Sequence, residues 1–149
     1  MKKVILILIA SSIFIMFACR KYEYNKNLKK IYGTYTVTNY TVDGIDSLSL
    51  FKDSLSTNFD FYFNETDEMT ILKIEGYTTL LKKILVKHGW GLLADNKTLN
   101  FHGLYNSIIG TGPFGGKKES TWTIIDLSKN NLIMQTTYNG KQYNIELRK

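Results

Sequence analysis

Short runs of alternating apolar and polar residues, turn-forming residues between most of them, and a single proline in 149 residues predict an all-β domain. The eight runs that can be picked out, in up-and-down order, predict an eight-stranded antiparallel barrel with one or two short helices. One chain of this length holds one domain and can bury a core without covalent staples.

The first residues stand apart from this pattern. Lys2 and Lys3 are followed by an apolar run from Val4 to Phe17, interrupted only by Ser11 and Ser12, and then by Ala18 and Cys19. That order of zones is an export signal, spanning residues 1–18. A spanning helix needs about 20 apolar residues, and this run is shorter. Met16-Phe17-Ala18-Cys19 resembles the lipobox of bacterial lipoproteins, although Phe17 is bulkier than the residue usual at its position. The resemblance implies cleavage before Cys19 and lipidation of Cys19, with membrane attachment through the acyl chains; two or more chains, at about 0.8 kcal/mol per buried CH₂, anchor stably. Cys19 is the only cysteine, so the exported domain forms no internal disulfide and offers no other thiol nucleophile.

Residues 19–30 read as a lipidated tether, polar and without helical periodicity. The segment also explains the chain's basicity. The formal charge is +6, but Lys2 and Lys3 belong to the signal, and Arg20, Lys21, Lys26, Lys29 and Lys30 face only Glu23. From Ile31 to Lys149 there are twelve bases and twelve acids, so the domain at 31–149 is neutral and lacks the basic footprint of a nucleic-acid binder. Tether bases would lie near anionic headgroups, or simply in water. Lipoproteins retained in the inner membrane commonly carry Asp after the lipidated cysteine; Arg20 differs, which implies the outer membrane.

The strands follow in order. Tyr32 to Val42 opens the domain. Leu48, Phe51 and Leu55 have helical spacing. Phe59, Phe61 and Phe63 alternate with Asp60 and Tyr62 as one aromatic strand face, and Asn64 to Glu68 turns the chain into a strand from Met69 to Glu75. Leu80, Leu81, Ile84 and Leu85 also have helical spacing, yet Ile84 to Val86 is equally compatible with a long strand. Lys87 to Ala94 and Thr98 to His102 flank the turn Asp95-Asn96-Lys97, setting Trp90, Leu92, Leu99 and Phe101 on one face. Trp122 and Ile124 face inward on the next strand, which runs through Leu127 to a polar turn at Ser128 to Asn131. Asn139-Gly140 is a type I′ hairpin signal; pairing Tyr138 with Lys141 sets Thr136 opposite Tyr143, Met134 opposite Ile145 and Leu132 opposite Leu147, all inward, with Ile133 alone out of pattern.

The opening Gly33-Thr34-Tyr35, the eight-strand meander, and the closing Trp122-x-Ile124-x-x-Leu127-x4-Leu132 resemble lipocalin-like lipoproteins of Bacteroidota over nearly all of Ile31 to Lys149. Lipocalins open with Gly-x-Trp, whose Trp closes one barrel end against an Arg of the last strand. Here Tyr35 stands for that Trp. Arg148 is the available Arg, but the hairpin register turns it outward.

No motif identifies a catalytic centre or a cofactor. Gly110-Thr111-Gly112-Pro113-Phe114-Gly115 satisfies Gly-x-Gly-x-x-Gly, yet it contains a proline and leads into a strand where a dinucleotide site needs a helix; it reads as a mobile loop at the barrel rim. Lys117 fails as a phosphate-loop lysine, since Thr111 and Lys118 occupy positions that need Gly and Ser or Thr. The only two histidines are set apart by the hairpin pairing, which puts His102 opposite Gly91 and on the face away from His88, so they do not share a metal. Asp43, Asp46, Asp60 and Asp126 show no spacing of an acid/base pair and read as solvated carboxylates.

The expected protein is therefore a noncatalytic, lipid-anchored module of the cell envelope. A hollow barrel would bind a small hydrophobic ligand, lined by Tyr35, Phe61, Trp90, Trp122 and Tyr143, all of which equally suit a packed core. A filled barrel would be a structural or interaction component, contacting an envelope protein through Gly110 to Gly116 and the 76–87 segment.

Overall fold

The computed structural model describes residues 21–49, 51, 55–65, 69–77, 83–103, 113–114 and 119–149. Their strands are β1 (Gly33–Val42), β2 (Ile45–Asp46), β3 (Leu55–Asn64), β4 (Met69–Tyr77), β5 (Lys83–Leu92), β6 (Thr98–Gly103), β7 (Ser120–Leu127), β8 (Asn131–Tyr138) and β9 (Lys141–Arg148). Each strand from β3 to β9 pairs antiparallel with the next, and β1 pairs with both β3 and β9, so eight strands close into a barrel and β2 is a short hairpin return of β1. The predicted all-β, eight-stranded antiparallel barrel is the observed fold.

Closure depends on β1 changing partner along its length. Gly33 to Thr36 pairs with Phe61 to Asn58 of β3, whereas Thr36 to Val42 pairs with Arg148 to Tyr143 of β9. A register shift between Val37 and Asn39 separates Tyr35 and Val37 from Tyr40, so all three are buried although strict alternation would turn Tyr40 outward. A second shift, between Ile124 and Asp126, does the same in β7: Trp122 is buried, Ile124 and Leu127 are packed against the core, and Ile125 is turned out. The spacing Trp122-x-Ile124-x-x-Leu127 thus encodes a bulge.

The C-terminal hairpin has the predicted register, from Asn131↔Arg148 to Tyr138↔Lys141. Asn139 and Gly140 both have positive φ, 49° and 75°, as the type I′ turn demands. Leu132, Met134, Thr136, Tyr143, Ile145 and Leu147 are buried on its inner face. Trp90, Leu92, Leu99 and Phe101 are all buried on one face, as expected, with Trp90 paired to Phe101 and Leu92 to Leu99.

Four readings change. Residues 21–31 form a helix, α1, where a polar segment without helical periodicity was expected. Tyr24 and Leu28 pack against the core and Ile31 is fully buried; their i, i+4, i+7 spacing is a narrow apolar stripe among lysines. His102 lies opposite Gly89, and Asn100 is the residue opposite Gly91; the two-residue offset leaves His102 outward and His88 inward. Phe63 is 49 % exposed because β3 carries it past the packed layers to the barrel mouth, unlike Phe59 and Phe61. Ile84 and Leu85 lie in β5, the strand alternative, while Leu80 and Leu81 lie outside the described residues. Of the other helical spacing, the described residues show a helical turn closed by Phe51 N–H donating to Ser47 O at 3.0 Å, and Leu55 belongs to β3.

Strand direction gives the barrel two distinct ends. One gathers α1, the start of β1, the end of β9 and the β3–β4, β5–β6 and β7–β8 connections. The other gathers the Ser47–Phe51 turn, the β8–β9 turn and the β4–β5 and β6–β7 connections.

Candidate functional site

The barrel interior is where the fold brings large side chains together. All five predicted lining residues, Tyr35, Phe61, Trp90, Trp122 and Tyr143, are buried there. They do not form one patch. Tyr35 meets Phe61 edge-on at 5.6 Å and Phe61 meets Trp90 edge-on at 5.6 Å, making one group toward the α1 end. Tyr143 sits toward the opposite end, 6.2 Å from Tyr40.

Phe59 and Phe51 link the two ends, from Phe61 at 6.4 Å through to Tyr40, and Phe114 brings Trp122 into the same cluster. Phe114 stacks on Trp122 at 4.8 Å with planes 18° apart, and meets Phe59 at 5.3 Å, Phe101 at 6.0 Å and Phe51 at 6.4 Å. Pro113 and Phe114 are both buried, so this part of the expected rim loop is inserted into the core; Gly110 to Gly112, Gly115, Gly116 and Lys117 lie outside the described residues. The sequence signal was a lone large apolar side chain among glycines, masked by the resemblance of those glycines to a nucleotide loop. Phe51, the other contributor to this end, stacks toward Phe59 and lies 4.7 Å from Tyr40.

The α1 end is closed by a polar latch. The Tyr35 hydroxyl donates to Lys30 O at 2.7 Å, and Lys149 Nζ donates to Lys30 O at 2.7 Å and Tyr32 O at 2.6 Å while lying 4.8 Å from the Tyr35 ring centroid. These donors satisfy carbonyls at the helix C-terminus, where a cation is also favoured by the aligned peptide dipoles. Burial pushes the Tyr35 phenol up and the Lys149 ammonium down from their ordinary ranges. Arg148 points outward, as the register requires.

Among the described residues two interior nitrogens lack partners. His88 Nε2 and Trp90 Nε1 are buried without a hydrogen bond, two residues apart on the inward face of β5. Trp122, by contrast, donates Nε1–H to Ser120 Oγ at 3.2 Å. Loss of solvent lowers the His88 pKa, and a hydrogen bond to the Phe114 backbone opposes that shift. The inside of the barrel is thus an aromatic core with one spare N–H donor, Trp90 Nε1, and one spare acceptor, His88 Nε2, since the neutral imidazole that donates Nδ1–H to the Phe114 carbonyl keeps a lone pair on Nε2.

The other polar side chains singled out by sequence serve turns and edges. Asp43 accepts from Gln142 N at 2.8 Å, Asp46 from Leu48 N at 2.9 Å, Asp60 from Thr34 Oγ1 at 3.1 Å and Asp126 from Asn131 Nδ2 at 3.2 Å. His102 Nδ1 lies 3.1 Å from Glu119 Oε1 on the exposed outer face. Among the described residues no three His, Cys, Asp or Glu side chains come together as a metal site, and no helix is long and apolar enough to cross a membrane. The signal at 1–18 and Cys19 lie outside the described residues.

The chain is similar in fold to a lipocalin-like protein from Bacteroides uniformis, with a TM-score of 0.50 and 14 % identity over 80 % of this chain and 98 % of that one. An uncharacterised protein from Bacteroides eggerthii aligns with a TM-score of 0.47 and 10 % identity over 79 % and 98 % of the respective chains. No family model and no curated protein matches the chain. The first likeness shows a lipocalin-like barrel.

Proposed function

We propose that this lipocalin-like chain is a noncatalytic lipoprotein of the cell envelope, anchored through lipid on Cys19 and placed in the outer membrane, whose barrel is filled by its own side chains. It then works as a structural or interaction module, through its outer surface and ends. The observation that carries the filled-barrel reading is Phe114, stacked 4.8 Å from Trp122 and in ring contact with Phe51, Phe59 and Phe101. An interior spanned in this way is close-packed by aromatic bulk, and entry of a ligand would displace these contacts.

A second reading has its own observation. His88 Nε2 and Trp90 Nε1 are buried without partners, and each such group costs about 1–3 kcal/mol unless it gains a hydrogen-bond partner. A small hydrophobic ligand carrying a hydroxyl, which accepts from Trp90 Nε1–H and donates to His88 Nε2, would satisfy them, at the cost of displacing Phe114 from the core.

One preparation tests both. Protein purified from its own host is extracted and analysed by mass spectrometry, and its tryptophan emission is followed during titration with long-chain ketones and alcohols. The filled barrel yields no stoichiometric hydrophobe and unchanged emission. A copurifying hydrophobe, or saturable quenching lost in Trp90→Phe, would overturn it in favour of the carrier. For the anchor, Cys19→Ala is expected to block processing or release the chain from membranes; unchanged processing and retention would sink that part.

A further inference from the structure

Among the described residues six large apolar side chains are exposed: Tyr22, Ile45, Phe63, Met69, Leu93 and Ile125. Their distribution is lopsided. Tyr22 is on α1, Phe63 ends β3, Met69 begins β4, Leu93 follows β5 and Ile125 lies near the end of β7, so five belong to the α1 end and only Ile45 to the other. The β3–β4 ladder ends at Asn64↔Met69, which makes Phe63 and Met69 neighbours at the last rungs of adjacent strands. Leu93 stands in the next connection round the rim, where its N–H donates to Thr98 O at 2.8 Å and fixes the turn that presents it.

Exposed bases share this end: Lys21, Lys26 and Lys29 on α1, Lys97 in the β5–β6 turn and Lys129 in the β7–β8 turn. Among the described residues Glu23, Glu65, Asp95 and Asp126 are also there, and the sequence adds Asp67 and Glu68 in the β3–β4 connection; Asp95 accepts from Lys97 N, Thr98 N and Thr98 Oγ1, and Asp126 from Asn131, so these two carboxylates are held in their turns, and the bases of α1 carry the attraction to anionic lipid. Exposed apolar side chains interspersed with lysines form the chemistry of an interfacial surface, in which apolar groups enter the headgroup boundary and ammonium groups meet anionic lipid. The chain itself leads to the same end. Cys19 stands two positions before Lys21, the first described residue of α1, and two residues of extended chain reach no more than about 7 Å.

We infer that the α1 end of the barrel rests on the lipid surface, with Phe63, Met69 and Leu93 in the headgroup region and the β8–β9 turn facing away. The inference rests on the lipidation of Cys19 proposed above and adds an orientation: the barrel lies against the bilayer by one end. In that pose the opposite end, with the Ser47–Phe51 turn and the Phe114 connection, is the one presented to soluble partners.

The test uses the full lipidated chain, reconstituted in vesicles of phosphatidylethanolamine and phosphatidylglycerol. Acylated Cys19 has no free thiol, so Phe63→Cys, Leu93→Cys and Lys141→Cys each offer one labelling position, the last at the far end of the barrel. With an environment-sensitive dye, the labels at 63 and 93 are expected to shift to the blue and to be quenched by doxyl-labelled lipid at least about twofold more than the label at 141. Equal, water-like emission and equal quenching at all three positions overturn the orientation while leaving the anchor intact. Shielding at 63 and 93 that grows with protein concentration but ignores doxyl lipid overturns it too, and identifies a second copy as the occupant. A wild-type chain that takes up the thiol dye at Cys19 sinks the anchor, and the orientation with it.

Discussion

Lys149 Nζ lies 4.8 Å from the centroid of the Tyr35 ring and, at the same time, within 2.7 Å of Lys30 O and 2.6 Å of Tyr32 O. A cation, an aromatic face and the end of a helix are thereby joined across the chain, and the barrel is closed at its α1 end. Lys149→Ala is expected to lower stability by about 1–2 kcal/mol, from the lost cation–aromatic contact and the Tyr32 carbonyl left to water, Lys30 O keeping its bond from the Tyr35 hydroxyl. Urea unfolding measures it. Gly33→Ala tests the same corner from the other side: φ there is +128°, and an added Cβ would meet Lys149 Cε at 3.0 Å. A loss of at least about 1 kcal/mol is expected, because an L side chain rarely adopts that conformation.

Phe114→Ala is expected to be the most damaging single truncation outside the strands. It removes a ring that contacts Phe51, Phe59, Phe101 and Trp122, and such aromatic deletions cost about 3–5 kcal/mol. The Trp122 emission should move to the red as its stacked neighbour is replaced by a void open to solvent. Unchanged stability together with unchanged emission would show that Phe114 is not a core residue.

His88 makes stability depend on pH in a defined direction. Its folded-state pKa lies below the 6.5 of the free side chain because burial disfavours the imidazolium. The unfolded chain therefore binds the proton first as pH falls, and stability is full above 6.5 and declines as pH drops through 6.5 toward the lower folded value. Melting temperatures measured from about pH 7.5 down to about pH 5 should fall in the parent chain and fall less steeply in His88→Gln, since only the buried imidazole is removed. Identical slopes would mean that His88 is not desolvated.

The β8–β9 turn offers a local probe. Asn139 holds φ at 49°, a region that β-branched residues avoid. Asn139→Val is expected to cost about 1–2 kcal/mol and to raise amide exchange first at the adjoining Thr137↔Gln142 and Tyr138↔Lys141 rungs.

The local level of this architecture is written in the chain because its determinants are local. Asn139-Gly140 admits a two-residue turn, a two-residue turn fixes the register, and the register sends Leu132, Met134, Ile145 and Leu147 inward without reference to anything else in the molecule. The same alternation put Trp90, Leu92, Leu99 and Phe101 on one inward face. It went astray where the pattern was short or the turn was longer than two residues: the stripe of Tyr24, Leu28 and Ile31 was outweighed by surrounding lysines, and the turn at Asp95 to Lys97 left the β5–β6 register two residues off. The inward positions of Tyr35, Phe61, Trp90, Trp122 and Tyr143 were legible for that reason, whereas the stacking of Phe114 on Trp122 was not.

Sequence by itself determined the all-β class, the strand order and the inward face of most strands, since period-two alternation and turn chemistry act over a few residues. Tertiary structure decided which residues meet across the barrel. Arg148, held outward by strand alternation, could not reach Tyr35; Lys149, one residue beyond β9 and free of that alternation, did. Likewise Phe114 enters the core because closure leaves an apolar space that a ring on the β6–β7 connection can fill, and a vacancy of that kind exists only after β1 has joined β3 to β9.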